Sequence, residues 1–472
     1  MTQVGFDVLL AFILMNNFAY IFLLIYFAFF SLANSKTNCK IPNEFTPTKS
    51  NFIENIDQKE NTDKSVFIYF DQSLSMQGYT KDQPGIKNLY INVIDDLQQI
   101  AENVGSKTYY HSFGKSVKTI KENQISQVIK PIFYECTSSA QECNNQESRI
   151  SGPLNATKLD SDGTYIIVTD LFLSSNQLVG STLNQITKPL KSILKNGKSI
   201  GIIGVMSSFN GTIYDIPKRE GGTVSYTEAQ KRPYYIIIIG DQKDINQIRK
   251  NLEEQHFTDP EDNYKFSLIT SNPVLQNLND KNLISEKSIN NISNAEKFNF
   301  EYTDQKLPIY YFNTNQKRKL NFSINNSSII VPGSTGVENF EIKEKLWVSQ
   351  ETKCQNEVWK KSKFEKISKI SQDEKSLSVN FFGEVSLKNL FRGMKYFYVG
   401  EIYAQKPGTI SEETFKEWSI RDSEAEEFKE GNPIEFKTLN LEKIIKILNS
   451  VANDEFQPTL IGSLAMNFNL TK

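Results

Sequence analysis

Two rhythms of apolar and polar positions divide the chain. From residue 65 to about 260, short unbroken apolar runs alternate with segments whose apolar residues recur at helical spacing. "SVFIYF" (65–70), "TYIIVTD" (164–170), "SIGIIGVM" (199–206) and "PYYIIIIGD" (233–241) read as strands covered on both faces, and "KTYYHSFG" (107–114) as a further strand. Between them, Ile86, Leu89, Tyr90, Val93, Ile94, Leu97 and Ile100 predict a helix within 84–104, with Pro84 near its start. Helical spacing returns over 176–195 and in "DINQIRKNLEEQ" (244–255), while 207–232 reads as a hairpin excursion. This alternation predicts an α/β domain over 65–260, with a mostly parallel sheet flanked by helices.

Beyond residue 262 the period shortens to two. "KFNFEYTD", "KLNFSIN", "SLSVNFFGEVSL" and "MKYFYVGEIYAQ" predict a mainly β, sandwich-like domain over 262–472, interrupted by an amphipathic helix in "LNLEKIIKILNSV" (439–451). At the other end, Gly5 to Leu32 is almost wholly apolar, long enough to span a bilayer. Ala33 and Ser35 supply small residues at a cleavage-type position, although no Lys or Arg precedes the apolar stretch. Residues 1–35 therefore read as either a signal peptide or a retained membrane anchor. Both readings place the remainder outside the cytoplasm, in the periplasm, on the cell surface or secreted. Residues 36–64, polar with scattered prolines, read as a linker.

Composition narrows the function classes. A net charge of −2 over 472 residues offers no basic field for nucleic acid or anionic lipid, and 12% aromatics suffice for real cores. Four cysteines, Cys39, Cys136, Cys143 and Cys354, lack the CxxC and histidine spacing of a zinc site. In an oxidising compartment they predict disulfides. Of the three connectivities, a local Cys136–Cys143 loop with Cys39–Cys354 is preferred.

The candidate chemistry sits where the first buried strand ends. Asp71, Ser73 and Ser75 alternate immediately after "SVFIYF", with Gly78 following, and a second strand ends in Thr169-Asp170. Alternating hydroxyls on an extended loop can offer neutral oxygens to a hard cation. Nearby carboxylates lower the cost of bringing it in. Asp and Ser are equally at home in a turn followed by a helix cap, so the loop has a plainer reading as well. "DSDG" (160–163) reads as a turn, because it lacks the other ligands of a calcium loop.

The Asp71-x-Ser73-x-Ser75 loop after a first strand, with Thr169-Asp170 after a later one, resembles the metal-ion-dependent adhesion site of von Willebrand factor A (vWA) domains. The resemblance covers 64–260, and "MQGY" and "RPYYIIIIG" are in keeping with secreted bacterial members. It implies that the two acid-tipped strands are neighbours at the point where strand order reverses, where open α/β sheets bind ligands. It also implies a Mg²⁺ site, or one for Mn²⁺ or Ca²⁺, held by Asp71, Ser73, Ser75 and Asp170. The family adds a threonine from an intervening loop. No string here matches its pattern, and Thr137 and Thr157 are the two candidates.

A site with few direct anions leaves the cation open to a carboxylate from a protein partner. The expected function is therefore adhesion-type binding and not catalysis. An envelope scaffold whose metal site is empty or vestigial is the alternative. A metal-dependent phosphoesterase is the weakest reading, for want of a base. The only two histidines, His111 and His256, have no serine or cysteine elbow near them.

Overall fold

The computed structural model describes residues 41–45, 64–82, 84–136, 143–157, 162–173, 175–217, 222–225, 230–258, 263–270, 296–302, 308–314, 319–324, 340–350, 358–362, 368–372, 381–411, 413–427 and 437–471. The apolar Gly5–Leu32 segment, with Cys39, Thr137 and Cys354, lies outside them. Among the described residues no helix is long and apolar enough to cross a membrane.

The first half is a mixed α/β sheet of seven strands. In chain order these are β1 (Ser65–Asp71), β2 (Lys107–Phe113), β3 (Val117–Ile120), β4 (Thr164–Thr169), β5 (Ser199–Phe209), β8 (Gln230–Gly240) and β9 (Tyr264–Ile269), arranged β3-β2-β1-β4-β8-β5-β9. The two missing numbers belong to a small hairpin, β6 (Thr212–Ile213) and β7 (Val224–Ser225). β1 is parallel to both β2 and β4, with Phe70 opposite Val168 and Asp71 opposite Phe113.

The expectation of a mostly parallel sheet needs correcting. β8 lies between β4 and β5 and is antiparallel to both, β9 is antiparallel to β5, and β3 to β2. The chain passes from β5 to β8 through the β6–β7 hairpin, with no helix among the described residues of the connection. A connection of that kind returns the chain alongside itself, whereas a parallel neighbour needs a crossover. The pairing then runs unbroken from Ser199–Gly240 to Phe209–Gln230.

Over β1, β4 and β5 both faces of this sheet are buried, which is why these strands lack alternation, whereas the β2–β3 edge is partly exposed. Val66, Ile68 and Phe70 of β1 pack with α1 (Leu89–Glu102), and the same cluster takes in Ile245, Ile248 and Leu252 of α4 (Gln242–His256). Each such side chain contributes roughly 1.5–3 kcal/mol when fully removed from water. Tyr69, Tyr165, Ile167, Ile200 and Ile202 face the other way, toward α2 (Ser151–Ala156) and α3 (Gly180–Lys195). That second face is completed from far along the chain by α5 (Leu441–Glu455). Its Leu441, Ile445, Leu448 and Val451, with Phe415 and Trp418, join the same cluster. β9 and α5 thus build on the first sheet although both lie beyond the expected boundary near 260–262.

The remaining strands are β10 (Glu296–Tyr302), β11 (Pro308–Thr314), β12 (Lys319–Ile324), β13 (Phe340–Ser349), β14 (Lys360–Lys361), β15 (Ser368–Gln372), β16 (Phe381–Ser386), β17 (Met394–Ala404), β18 (Ser419–Ile420), β19 (Thr438–Leu439) and β20 (Thr459–Leu470). Six form a second sheet in the order β10-β11-β20-β17-β13-β14, three form β12-β16-β15, and β18 pairs with β19. Phe45 packs its ring edge-on against Phe397 of β17 and Trp347 of β13, with centroids 5.0 and 6.5 Å away. Residues 41–45, expected within a linker, therefore dock on the second sheet.

Candidate functional site

β1 stops at Asp71 because the chain turns there into a short 3₁₀ segment, Leu74–Thr80. The turn is local chemistry: the Ser73 backbone N–H donates to Asp71 Oδ1 over 2.9 Å. Ser73 occupies the cap position of the 3₁₀ segment, yet its side chain makes no capping hydrogen bond. Its hydroxyl instead shares a hydrogen bond with that of Ser75, with the two Oγ atoms 3.2 Å apart. Of the plainer reading of the loop, the turn is formed by Asp71, and the side-chain cap is not made by Ser73.

The neighbouring β4 delivers the second acid. Register places Thr169 beside Asp71, and the Thr169 hydroxyl donates to Asp71 Oδ2 over 2.7 Å, linking positions 98 residues apart. Asp170 follows directly. Its Oδ1 accepts from the Phe172 N–H at 3.2 Å. Leu171 is held at a φ of 50° between them, a left-handed conformation that is costly for a branched side chain. The sequence-predicted acids Asp71 and Asp170 thus sit at the same end of adjacent parallel strands, and both are buried.

A third segment, Cys143–Arg149, closes over this end. The Leu74 N–H donates to the Asn145 carbonyl, Lys115 to that of Asn144, and Arg149 to that of Gly114. Only glycine fits at 114, since a Cβ there would stand 1.9 Å from the Asn144 carbonyl oxygen. The Cys136–Cys143 disulfide, with Cα atoms 5.6 Å apart, ties the start of the segment to the chain before it. The segment brings Ser148, whose hydroxyl donates to Asp71 Oδ2 over 2.6 Å. Ser148 is partly exposed, whereas Asp71, Ser73 and Ser75 are buried. Beside the segment opens a cavity of about 340 Å³, lined by Gln72, Lys118, Gln124, Glu135, Asn144 and Asn145, among others.

A fourth element was not anticipated. Arg232, fully buried at the start of β8, donates from Nη1 to Asp170 Oδ2 at 3.0 Å and to the Tyr79 hydroxyl at 3.2 Å. Its guanidinium also lies 5.1, 5.5 and 5.8 Å from the ring centroids of Phe209, Phe172 and Tyr79. It arrives because β8 runs antiparallel to β4: the beginning of β8 lies at the end where β4 finishes.

Burial pushes Asp71 up to about 6, and the charge of Asp170 pushes the same way. Hydrogen bonds from Ser148, Thr169 and the Ser73 backbone hold it down. Among the described residues no cation pairs with Asp71, while Asp170 has one in Arg232.

The structure speaks to one of the two expected threonine candidates. Thr137 lies outside the described residues. Thr157 donates its hydroxyl to the Leu154 carbonyl at 2.8 Å and lines a small cavity with Gly163, Tyr165, Lys198 and Ile239. Those residues mark the opposite end of the sheet, where β4 begins and β8 finishes. The short α2 carries the chain away from Asp71 before reaching Thr157. Ser148 stands beside Asp71 instead, in a segment with no motif to announce it. Of the preferred cysteine pairs, Cys136–Cys143 is formed, and Cys39 and Cys354 lie outside the described residues. His111 stacks on Tyr69 with centroids 4.7 Å apart, and His256 Nε2 lies 3.2 Å from Asp96 Oδ2.

The side chains gathered here are hard oxygen donors, one carboxylate and several hydroxyls, of the class that a hard divalent cation takes. Metal–oxygen bonds at right angles put neighbouring oxygens about 2.9 Å apart for Mg²⁺ and about 3.3–3.7 Å apart for Ca²⁺. The Ser73–Ser75 separation of 3.2 Å falls between these values. Among the described residues no group of three or more His, Cys, Asp or Glu side chains is placed to hold a metal. No protein-family model, no curated protein and no solved structure matches the chain.

Proposed function

We propose that the chain is an extracytoplasmic binding protein whose α/β half works in the manner of a vWA adhesion domain. Mg²⁺, or Mn²⁺ or Ca²⁺ in its place, is held by Asp71, Ser73 and Ser75, with Ser148 beside them, and an acidic group of a protein partner completes the coordination. The observation that carries this reading is the hydrogen-bonded pair of hydroxyls beside a buried carboxylate, Ser73 at the cap of the 3₁₀ segment and Ser75 within its first turn, with no side-chain cap made by Ser73. When bound, the cation supplies an electrophile that a partner's carboxylate can ligate. The chain's own groups hold that position: Thr169 and Ser148 orient Asp71, and the Asp71 turn holds Ser73. The adjoining cavity, rich in amide side chains, suits polar groups flanking such a carboxylate. The Cys136–Cys143 disulfide supports an oxidising compartment.

A second reading is favoured by the Arg232–Asp170 pair. Here the buried guanidinium permanently takes the place of a cation, the site is vestigial, and the chain is an envelope scaffold. Melting of the purified full-length protein with and without Mg²⁺ separates the two. Adhesion-type binding predicts a Mg²⁺-dependent rise in Tm that Asp71→Ala abolishes, and partner capture lost in EDTA. A scaffold shows neither.

A further inference from the structure

We infer that Arg232 is a tethered counter-cation that tunes the site: by neutralising Asp170 it leaves Asp71 as the one uncompensated carboxylate, and so weakens cation binding in favour of a cation that stays electrophilic. The inference rests on the cation reading above.

Two buried carboxylates meet at the ends of β1 and β4, and they differ in what balances them. Among the described residues, the donors to Asp71 are neutral: two hydroxyls and a backbone N–H. Asp170 receives a guanidinium that is itself fully enclosed. A buried charge with no partner costs several kcal/mol, so neither Arg232 nor Asp170 is readily freed from the other. The aromatic cage adds to this. Tyr79, Phe172 and Phe209 surround the guanidinium and prevent it from swinging to solvent.

The consequence is a matter of charge. With Asp170 matched, a divalent ion beside Asp71 meets one unbalanced negative charge, not two, and keeps one positive charge of its own. It therefore binds less tightly alone and draws an anionic group more strongly. By linkage, the cation and an acidic partner then raise each other's affinity. A site with both acids free would hold the ion harder and leave it less attractive to a partner.

The test is Mn²⁺ binding to full-length protein, read from the electron paramagnetic resonance of free Mn²⁺. Arg232→Gln keeps a donor for Asp170 but removes the charge, and is expected to bind Mn²⁺ about tenfold more tightly than wild type. Arg232→Lys, which retains the charge, is expected to stay close to wild type. Wild-type binding with Arg232→Gln no tighter overturns the inference and leaves the cation reading standing. No binding by either protein removes both. Binding by Arg232→Gln alone overturns the inference in favour of the scaffold reading, in which Arg232 replaces the cation outright. If Arg232→Gln does not fold without metal, recovery of a cooperative melt on adding Mn²⁺ supports the inference and failure to recover overturns it.

Discussion

The hydroxyl of Ser148 donates to Asp71 Oδ2 across 77 residues of chain, over 2.6 Å. This contact fastens the Cys143–Arg149 segment to the end of β1 and gives the buried carboxylate one of its three donors. Ser148→Ala removes it without opening a large void. We expect a loss of about 1 kcal/mol in unfolding free energy, as for one hydrogen bond to a charged or polar group. Mn²⁺ affinity should also fall several-fold, measured by titration calorimetry. Unchanged affinity would take Ser148 out of the cation site.

The pH dependence has a definite sign. Burial, then the charge of Asp170, pushes Asp71 up to about 6, above its value in an unfolded chain. Without metal, the stability this group contributes is fully present below the unfolded value and is lost as pH rises through about 6. A cation needs the ionised form, so its stabilising effect runs the other way. The rise in Tm on adding Mn²⁺ should be near zero at about pH 5 and fully developed by about pH 7. Differential scanning fluorimetry across that range checks it, and a rise independent of pH would point to a cation bound elsewhere.

The C-terminal helix belongs energetically to the first sheet. Ile445 is buried in the cluster that contains Ile200, Ile202 and Tyr235. Tyr235 and Thr438 also share a hydrogen bond of 2.9 Å between their hydroxyls. Asn440 reaches the Leu173 carbonyl in the loop that follows Asp170. Ile445→Ala should cost about 2–4 kcal/mol. In urea denaturation the loss should appear in the transition of the α/β half. A change confined to a separate transition of the second sheet would contradict this.

The sequence made some of this plain and hid the rest for identifiable reasons. Asp71 and Asp170 were legible because unbroken apolar runs end abruptly at each, and a run buried on both faces carries its own boundary. The direction of β8 was not legible: "RPYYIIIIG" is equally apolar read either way, and hydropathy carries no sense of polarity along the chain. The hairpin excursion over 207–232 held the missing information, since a hairpin returns a strand antiparallel. With the direction of β8 went Arg232, whose place in the site follows from that direction alone. The helix at 441–455 was visible in its periodicity, but an amphipathic pattern shows that a face is buried and not what buries it. Ser148 has no local signature, because its role comes from a segment pinned by backbone bonds to Gly114 and Leu74.

The most direct test of the account is a crystal of the full-length protein grown with Mn²⁺ and measured for anomalous scattering. The account predicts one peak in contact with the hydroxyls of both Ser73 and Ser75 and beside Asp71, absent from Asp71→Asn crystals. A well-ordered Ser73–Ser75 loop with no peak at saturating Mn²⁺ would contradict it.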